Sequence, residues 1–212
     1  MKFEADIINF LQTNASIGWI TLFQLITTLG SYLGFLIVFC ILFFKNRKLS
    51  YTFVATFIVA SVFNHFLKAV IMRDRPFVTY PSIINYGGED GYSMPSGHSM
   101  CGALFATFIF YLILKSHSTK GTKALGGICC ALFAILIAYS RMVLGVHYLT
   151  DTIAGIFEGI LFAIIGIYVY NLIVKKNKKN AKEDTIIKLW CGLKIMFNQT
   201  IKWENSGRKA EI

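Results

Sequence analysis

Charged side chains are scarce in this sequence: they make up only 15% of its 212 residues, whereas hydrophobic residues make up 55%. The mean hydropathy of +0.58 is too high for a protein whose whole surface faces water. The charge is also unevenly distributed, since residues 7–44 contain no charged side chain at all. These features exclude a water-soluble globular protein and indicate a multi-pass membrane protein.

The sequence also lacks the patterns that mark several other classes. Segments of about ten residues with alternating hydrophobicity, typical of an outer-membrane barrel, are missing, so we predict an all-α membrane protein. The five cysteines lie mostly in apolar stretches without metal-ligand spacing, which indicates small buried hydrophobic residues. The N-terminus has no cleavable leader pattern, and we expect the first spans to direct membrane insertion.

Long apolar stretches predict a bundle of five transmembrane helices, because a bilayer core requires about 20 mostly apolar residues per helix. The uncharged run over residues 7–44 is too long for one crossing and slightly short for two, so we expect a break at Gly30 and Ser31. Residues 4–28 would then form a more polar helix along the membrane interface, and a sixth span is the alternative. The five predicted spans cover residues 32–44, 51–72, 95–114, 124–142 and 148–174.

Basic residues predict the orientation of these spans. The turns 45–50 and 115–123 carry three Lys or Arg each, and 10 of the 21 Lys and Arg lie from residue 175 onward. The positive-inside rule makes this side cytoplasmic, so the loop 73–94 and the turn 142–147 face outward. The tail has apolar residues at helical spacing, which predicts a basic amphipathic helix on anionic membrane lipids. It contains no nucleic-acid motif, and we expect no nucleic-acid partner.

Polar residues are concentrated where the predicted spans meet the outer face. Lys68, Arg75 and Arg141 supply three cations, which suit a phosphate because Arg donates paired hydrogen bonds and Lys offers a compact charge. Ser96 and Gly97 lie at the start of a predicted helix, where free N–H groups and the helix dipole favour an anion. A single Lys or Arg at a span end is usually a membrane anchor, but anchoring explains the combination poorly. The cluster therefore predicts a phosphate site.

Two histidines and an aspartate add the groups that phosphoryl transfer requires. Asp151 lies four residues after His147, so its carboxylate can accept the Nδ1 proton and leave Nε2 as the nucleophile. His98 can donate a proton to the leaving oxygen. The sequence leaves no carboxylate cluster or His/Cys set for a metal. We therefore expect neither a metal nor another cofactor, with the three cations stabilising the transferred group.

These residues resemble the three-part signature of the type-2 phosphatidic acid phosphatase superfamily. The matching segments are Lys68-x6-Arg75-Pro76, Pro95-Ser96-Gly97-His98 and Ser140-Arg141-x5-His147-x3-Asp151. The resemblance implies a membrane-embedded helical bundle that hydrolyses lipid phosphates or diphosphates without metal, through a phosphohistidine on His147. For the other site residues it implies the roles given above. The predicted domains are an N-terminal interfacial helix (1–29), the transmembrane catalytic domain (30–175) and a basic cytoplasmic amphipathic tail (176–212).

Several alternatives stay open within this resemblance. The superfamily also includes soluble vanadium-dependent haloperoxidases, but the predicted spans fit the small bacterial phosphatases of the cell membrane better. Undecaprenyl diphosphate, phosphatidylglycerophosphate and phosphatidic acid are all candidate substrates, and an outward site favours undecaprenyl diphosphate. We expect the loop 77–94 to select the headgroup. The competing class is a non-catalytic phospholipid-binding or transport protein, and the sequence does not predict an oligomeric state.

Two further polar features lie near the predicted site. Glu158 is about 10 Å deeper in the membrane than the predicted orienting carboxylate, where facing lipid would be too costly. We expect it to form a hydrogen bond with Asn64 or His65 that braces the two helices carrying the site; the alternative is a protonated Glu158 in a small polar cavity. Arg73 and the adjacent Asp74 are interpreted as a local surface pair.

Overall fold

The computed structural model describes residues 2–177, and all regular secondary structure in that range is helical, which confirms the predicted fold class. The chain divides into a unit that ends at Tyr168 and a second unit that starts at Val169, of which the described residues 169–177 are helical. The predicted tail helix lies outside the described residues. The helices are α1 (Lys2–Thr13), α2 (Ile17–Thr28), α3 (Tyr32–Lys45), α4 (Arg47–Ile71), α5 (Pro76–Thr79), α6 (Gly97–Lys115), α7 (Lys120–Val143) and α8 (Leu149–Asn177).

Within residues 2–177, four helical segments are long and apolar enough to cross a membrane: α4 with its continuation to Thr79, then α6, α7 and α8. The pair α2 and α3 meets the same criteria together but is bent by 44°, and it makes a fifth span if the two helices cross as one. The bend confirms the break expected at Gly30 and Ser31. A Cβ on Gly30 would lie 2.6 Å from Ile137 Cγ2, so only glycine allows the bend to pack this closely on α7.

The single helix predicted over residues 4–28 is wrong, because the chain forms two helices there. Asn14 Nδ2 donates to the Phe10 carbonyl at 2.7 Å where α1 ends, and Ser16 Oγ accepts from Trp19 N at 3.3 Å where α2 begins. Such side chains bond to the backbone in place of the next helical turn, and therefore separate two helices.

Helix α1 packs on the loops of the predicted outer face. Its buried Ala5 and Ile8 contact Ile83 and Tyr148 in one apolar cluster. The amide of Gln12 both donates to the Ile84 carbonyl at 2.8 Å and accepts from the Ile84 N–H at 2.9 Å. The N-terminal helix is thus part of the structure around the site.

Close approach of α8 to α6 brings the predicted site residues together. A Cβ on Gly155 would lie 2.4 Å from the Ser96 carbonyl oxygen, and one on Gly159 would lie 2.2 Å from the Met100 carbonyl oxygen. Glycines four residues apart let two helix backbones pack in contact. The Ser96 N–H donates to the Asp151 carbonyl at 3.0 Å, which joins the first turns of the two helices.

Candidate active site

A cavity of about 480 Å³ lies between the end of α4, the loop before α6 and the first turn of α6. Its lining includes Lys68, Arg75, Gly97 and His98, which the sequence assigns to phosphate binding and proton transfer. The fold therefore brings residues from two of the three signature segments to one cavity.

His147 is buried in the turn between α7 and α8, with its two ring nitrogens facing different partners. Its Nδ1 lies 3.6 Å from Asp151 Oδ2, an ion-pair distance that is longer than a hydrogen bond. Its Nε2 lies 3.4 Å from Arg75 Nη1. Nε2 therefore faces the cations while Nδ1 faces the carboxylate, but the hydrogen bond expected from Nδ1 to Asp151 is not formed at this distance.

Backbone carbonyls and a threonine hydroxyl hold the predicted phosphate-binding cations in place. Arg75 is 4% exposed, and its Nε and Nη2 donate to the Asp90 carbonyl at 3.2 and 2.9 Å. Arg141 is 1% exposed, and its Nη1 donates to Thr27 Oγ1 at 2.7 Å. Lys68 Nζ donates to the Tyr92 carbonyl at 2.8 Å. Each cation is thus oriented by groups that leave other N–H donors available.

Ser96 and Gly97 form the start of α6, as predicted. Ser96 Oγ accepts from the Ser99 N–H at 3.4 Å and from the Ser99 hydroxyl at 3.0 Å, so its own hydroxyl hydrogen is left to donate. Gly97 lines the cavity, so the first turn of α6 faces it. This is the arrangement in which a helix N-terminus binds an anion.

Sequence reasoning missed Glu89, whose carboxylate lies at the centre of these groups. Its Oε2 lies 2.8 Å from Arg75 Nη1 and 3.5 Å from His147 Nε2. Its Oε1 contacts Arg141 Nη2 and lies 3.2 Å from His98 Nδ1. The only signal in the sequence is one of position: Glu89 is a carboxylate in the glycine-rich part of the loop predicted to select the headgroup.

The electrostatic environment keeps Glu89 ionised. Burial by itself would raise the pKa of Glu89, but the adjacent His147 and the positive charge of Arg141 together lower that pKa well below its usual range. The site thus stabilises a negative charge at this position.

The predicted pair of Arg73 with Asp74 is wrong, because Arg73 contacts carboxylates far along the chain. Its Nη1 donates to Asp151 Oδ1 at 2.5 Å, and its Nη2 donates to Glu4 Oε2 at 2.9 Å. The guanidinium also lies 4.1 Å from the centroid of the Tyr148 ring. The planar guanidinium can bond two carboxylates while stacking on an aromatic ring, and Asp74 offers no such combination.

The hydrogen bond predicted for Glu158 is confirmed, with Asn64 as its partner. Asn64 Nδ2 donates to Glu158 Oε2 at 2.7 Å, and both side chains are buried. His65 instead contacts the Ser61 carbonyl of its own helix through Nδ1 at 2.8 Å. A Cβ on Gly97 would lie 3.4 Å from Asn64 Oδ1, so Asn64 lies between α8 and the first turn of α6.

Comparison with known proteins assigns most of the described helices to one protein family. The profile described as the PAP2 superfamily matches residues 49–175, and the chain belongs to that superfamily. The predicted family is therefore confirmed. The match spans the ends of α4, α6, α7 and α8 that carry the cluster of cations and histidines.

Individual relatives support the same assignment. An undecaprenyl-diphosphatase of Sulfolobus acidocaldarius is 34% identical over 116 residues, 54% of this chain and 52% of that protein. Phosphatidylglycerophosphatase B of Bacillus subtilis is 34% identical over 99 residues, 46% of either chain. This chain thus spans about half the length of the curated relatives it matches. One solved structure shares the fold: that of a transmembrane PAP2-type phosphatidylglycerolphosphate phosphatase of Bacillus subtilis. Its TM-score is 0.70 at 24% sequence identity, and the match covers 81% of this chain and 86% of that one.

Proposed function

We propose that this membrane protein hydrolyses a lipid phosphate or diphosphate without a metal, through a phosphohistidine on His147. The observation that carries the proposal is the position of the Glu89 carboxylate between two arginines and two histidines. A cluster that holds a carboxylate in this way suits a phosphoryl group, because both are anions with several acceptor oxygens. His147 Nε2 faces this position and is therefore the attacking atom.

Each step of the proposed reaction uses a group in the cluster. His147 Nε2 attacks the phosphorus, the bond from phosphorus to the lipid-side oxygen breaks, and His98 gives its proton to that oxygen. Water then attacks the phosphorus, the P–N bond breaks, and His98 takes up the proton of the water. Throughout, Lys68, Arg75 and Arg141 stabilise the charge on the phosphoryl oxygens.

The donor set supports metal-free chemistry. Within residues 2–177, no group of three or more His, Cys, Asp or Glu side chains is arranged to hold a metal ion. Paired arginines stabilise the charge of a transferring phosphoryl group directly. The described part of the protein thus offers cations where a metallophosphatase offers carboxylates.

For the substrate we propose undecaprenyl diphosphate, with attack on the terminal phosphorus releasing the lipid monophosphate. The predicted outward orientation of the site favours this substrate, and one relative with 34% identity is named an undecaprenyl-diphosphatase. Phosphatidylglycerophosphate is the second candidate, because another relative with 34% identity is named phosphatidylglycerophosphatase B. Phosphatidic acid is the third.

The test is phosphate release by the purified full-length protein over a panel of these three lipids. We expect release from at least one lipid, and we expect His147→Gln to abolish it. His117→Gln is the matched control, because His117 is exposed in the turn between α6 and α7. Release from no lipid by the folded wild type would contradict the proposal and favour a non-catalytic lipid-binding or transport protein.

A further inference from the structure

Glu89 occupies the position that the proposed reaction reserves for the phosphoryl group. Its two oxygens contact Arg75 and Arg141, which would bind the phosphoryl oxygens, and they lie near His98 and His147, which would transfer a proton and attack the phosphorus. A phosphoryl group cannot form these contacts while the carboxylate holds them. Glu89 and the substrate therefore compete for the same donors.

The carboxylate compensates a costly concentration of positive charge. Arg75 and Arg141 are almost completely buried, and both contact Glu89. Buried cations without a counter-charge lose their hydration and repel one another, which is strongly destabilising. Glu89 supplies the counter-charge that a bound phosphate would otherwise supply.

The loop around Glu89 is open on both sides of this residue. Glu89 lies between Gly88 and Gly91, which have positive φ of 62° and 72°, and a Cβ on either glycine would meet no atom within 4 Å. The loop backbone is held separately, because Arg75 Nε donates to the Gly91 carbonyl at 3.0 Å. Glu89 also lines the cavity of about 480 Å³, which offers space into which its side chain can turn away from the cluster.

We propose that Glu89 is an internal ligand of the phosphate site, which the substrate displaces and which returns as inorganic phosphate leaves. Its role in turnover rests on the proposed function, whereas its competition with phosphate does not. An internal competitor lowers the apparent affinity for every phosphate in proportion to its occupancy. It also assists product release, because it replaces the phosphate on the same donors.

The test is calorimetric binding of inorganic phosphate to the purified full-length protein, which requires no turnover. We expect Glu89→Gln to bind phosphate about tenfold more tightly than the wild type or better, a difference of about 1.4 kcal/mol. Asp74→Asn is the matched control, because it removes an exposed carboxylate from the same segment between α4 and α6, and we expect a change below about twofold. Equal or weaker phosphate binding by folded Glu89→Gln would overturn the proposal.

A second measurement separates competition from a purely structural role. Without phosphate, we expect Glu89→Gln to unfold at a lower temperature than the wild type, and we expect saturating phosphate to raise its unfolding temperature by more than that of the wild type. Glu89→Asp keeps the charge on a shorter side chain and replaces Glu89→Gln in the test if that variant does not fold. We expect Glu89→Asp to bind phosphate more tightly than the wild type. Loss of phosphate binding in folded Glu89→Asp would show that Glu89 holds the cations in place for phosphate, and would overturn the proposal.

In the enzyme assay, Glu89→Gln should have a lower inhibition constant for inorganic phosphate than the wild type. If the purified wild type releases no phosphate from any lipid, the proposed function fails, and the calorimetric result still decides the role of Glu89. If turnover is normal but phosphate binding is unchanged in Glu89→Gln, the inference about Glu89 fails alone.

Discussion

Arg73 donates a hydrogen bond of 2.5 Å to Asp151 Oδ1, on the carboxylate whose other oxygen faces His147 Nδ1. Arg73 is itself held by Glu4 of α1 at 2.9 Å. Burial alone would raise the pKa of Glu4, but hydrogen bonds from Thr150 and Arg73 lower it below its usual value, so Glu4 stays ionised. The N-terminal helix is thus connected to the proposed nucleophile through three charged side chains.

From this contact we expect Arg73→Gln to lower kcat by about 10- to 100-fold with a smaller effect on KM, because Asp151 loses the partner that orients it. Arg73→Lys keeps the charge but not the paired donors, and its kcat should lie between those of the wild type and Arg73→Gln. Arg47→Gln is the control, since Arg47 is an exposed arginine near the ring of Phe43. Steady-state kinetics of phosphate release test this, and wild-type kcat in Arg73→Gln would contradict it.

For the nucleophile, we expect Asp151→Asn to retain at least about tenfold more activity than His147→Gln. The attacking nitrogen is kept in Asp151→Asn, whereas His147→Gln removes it. The measurement is single-turnover phosphate release with enzyme in excess, and covalent labelling from a phosphorus-labelled substrate. Retention of the label by folded His147→Gln would exclude His147 as the phosphorylated residue.

For the proton donor, we expect the loss in His98→Gln to depend on the leaving group. An aryl phosphate needs little protonation of its leaving oxygen. The factor by which His98→Gln lowers its hydrolysis rate should therefore be about tenfold smaller than the factor for a lipid monophosphate. Both substrates are to be assayed with the same preparation. Equal losses on the two substrates would indicate that His98 acts in phosphate binding rather than as the acid.

For the contact between Asn64 and Glu158, we expect energetic coupling in a double-mutant cycle. The free energy of unfolding of Asn64→Leu, Glu158→Leu and the double variant should deviate from additivity by at least about 0.5 kcal/mol, because the pair is buried and hydrogen-bonded. A parallel cycle with His65→Leu is the control and should be nearly additive, since His65 bonds to its own helix. Additivity in both cycles would mean that the contact does not brace the helices.

For the metal requirement, we expect activity to survive EDTA and to be blocked by vanadate, whose five-coordinate form resembles the transferring phosphoryl group. The proposed site stabilises charge with Lys and Arg, which EDTA does not remove. A zinc-dependent phosphatase in the same buffer serves as the control for chelation. Loss of activity in EDTA that magnesium restores would contradict metal-free hydrolysis.

Helical periodicity and the cost of burying charge made part of the protein predictable from its sequence. The apolar stretches predicted an all-helical membrane protein. The break at Gly30 and Ser31 followed because the uncharged run over residues 7–44 is too long for one membrane crossing and slightly short for two. The partner of Glu158 could be narrowed to Asn64 or His65, because positions on a helix determine depth and a buried carboxylate needs a donor. These features depend on the local residue pattern and on the cost of exposing a charged side chain to lipid. Both can be evaluated from the sequence.

The tertiary structure alone decided the positions of Glu89 and Arg73. Both lie in loops, where no periodic pattern relates a residue to its neighbours in space, and their partners are far along the chain. The packing of α1 on the outer loops likewise depends on contacts with Ile84 and Tyr148 that only folding brings together. The motif residues were therefore evident from the sequence. The positions of Glu89 and Arg73 next to them became evident only from the path of the loops in the folded structure.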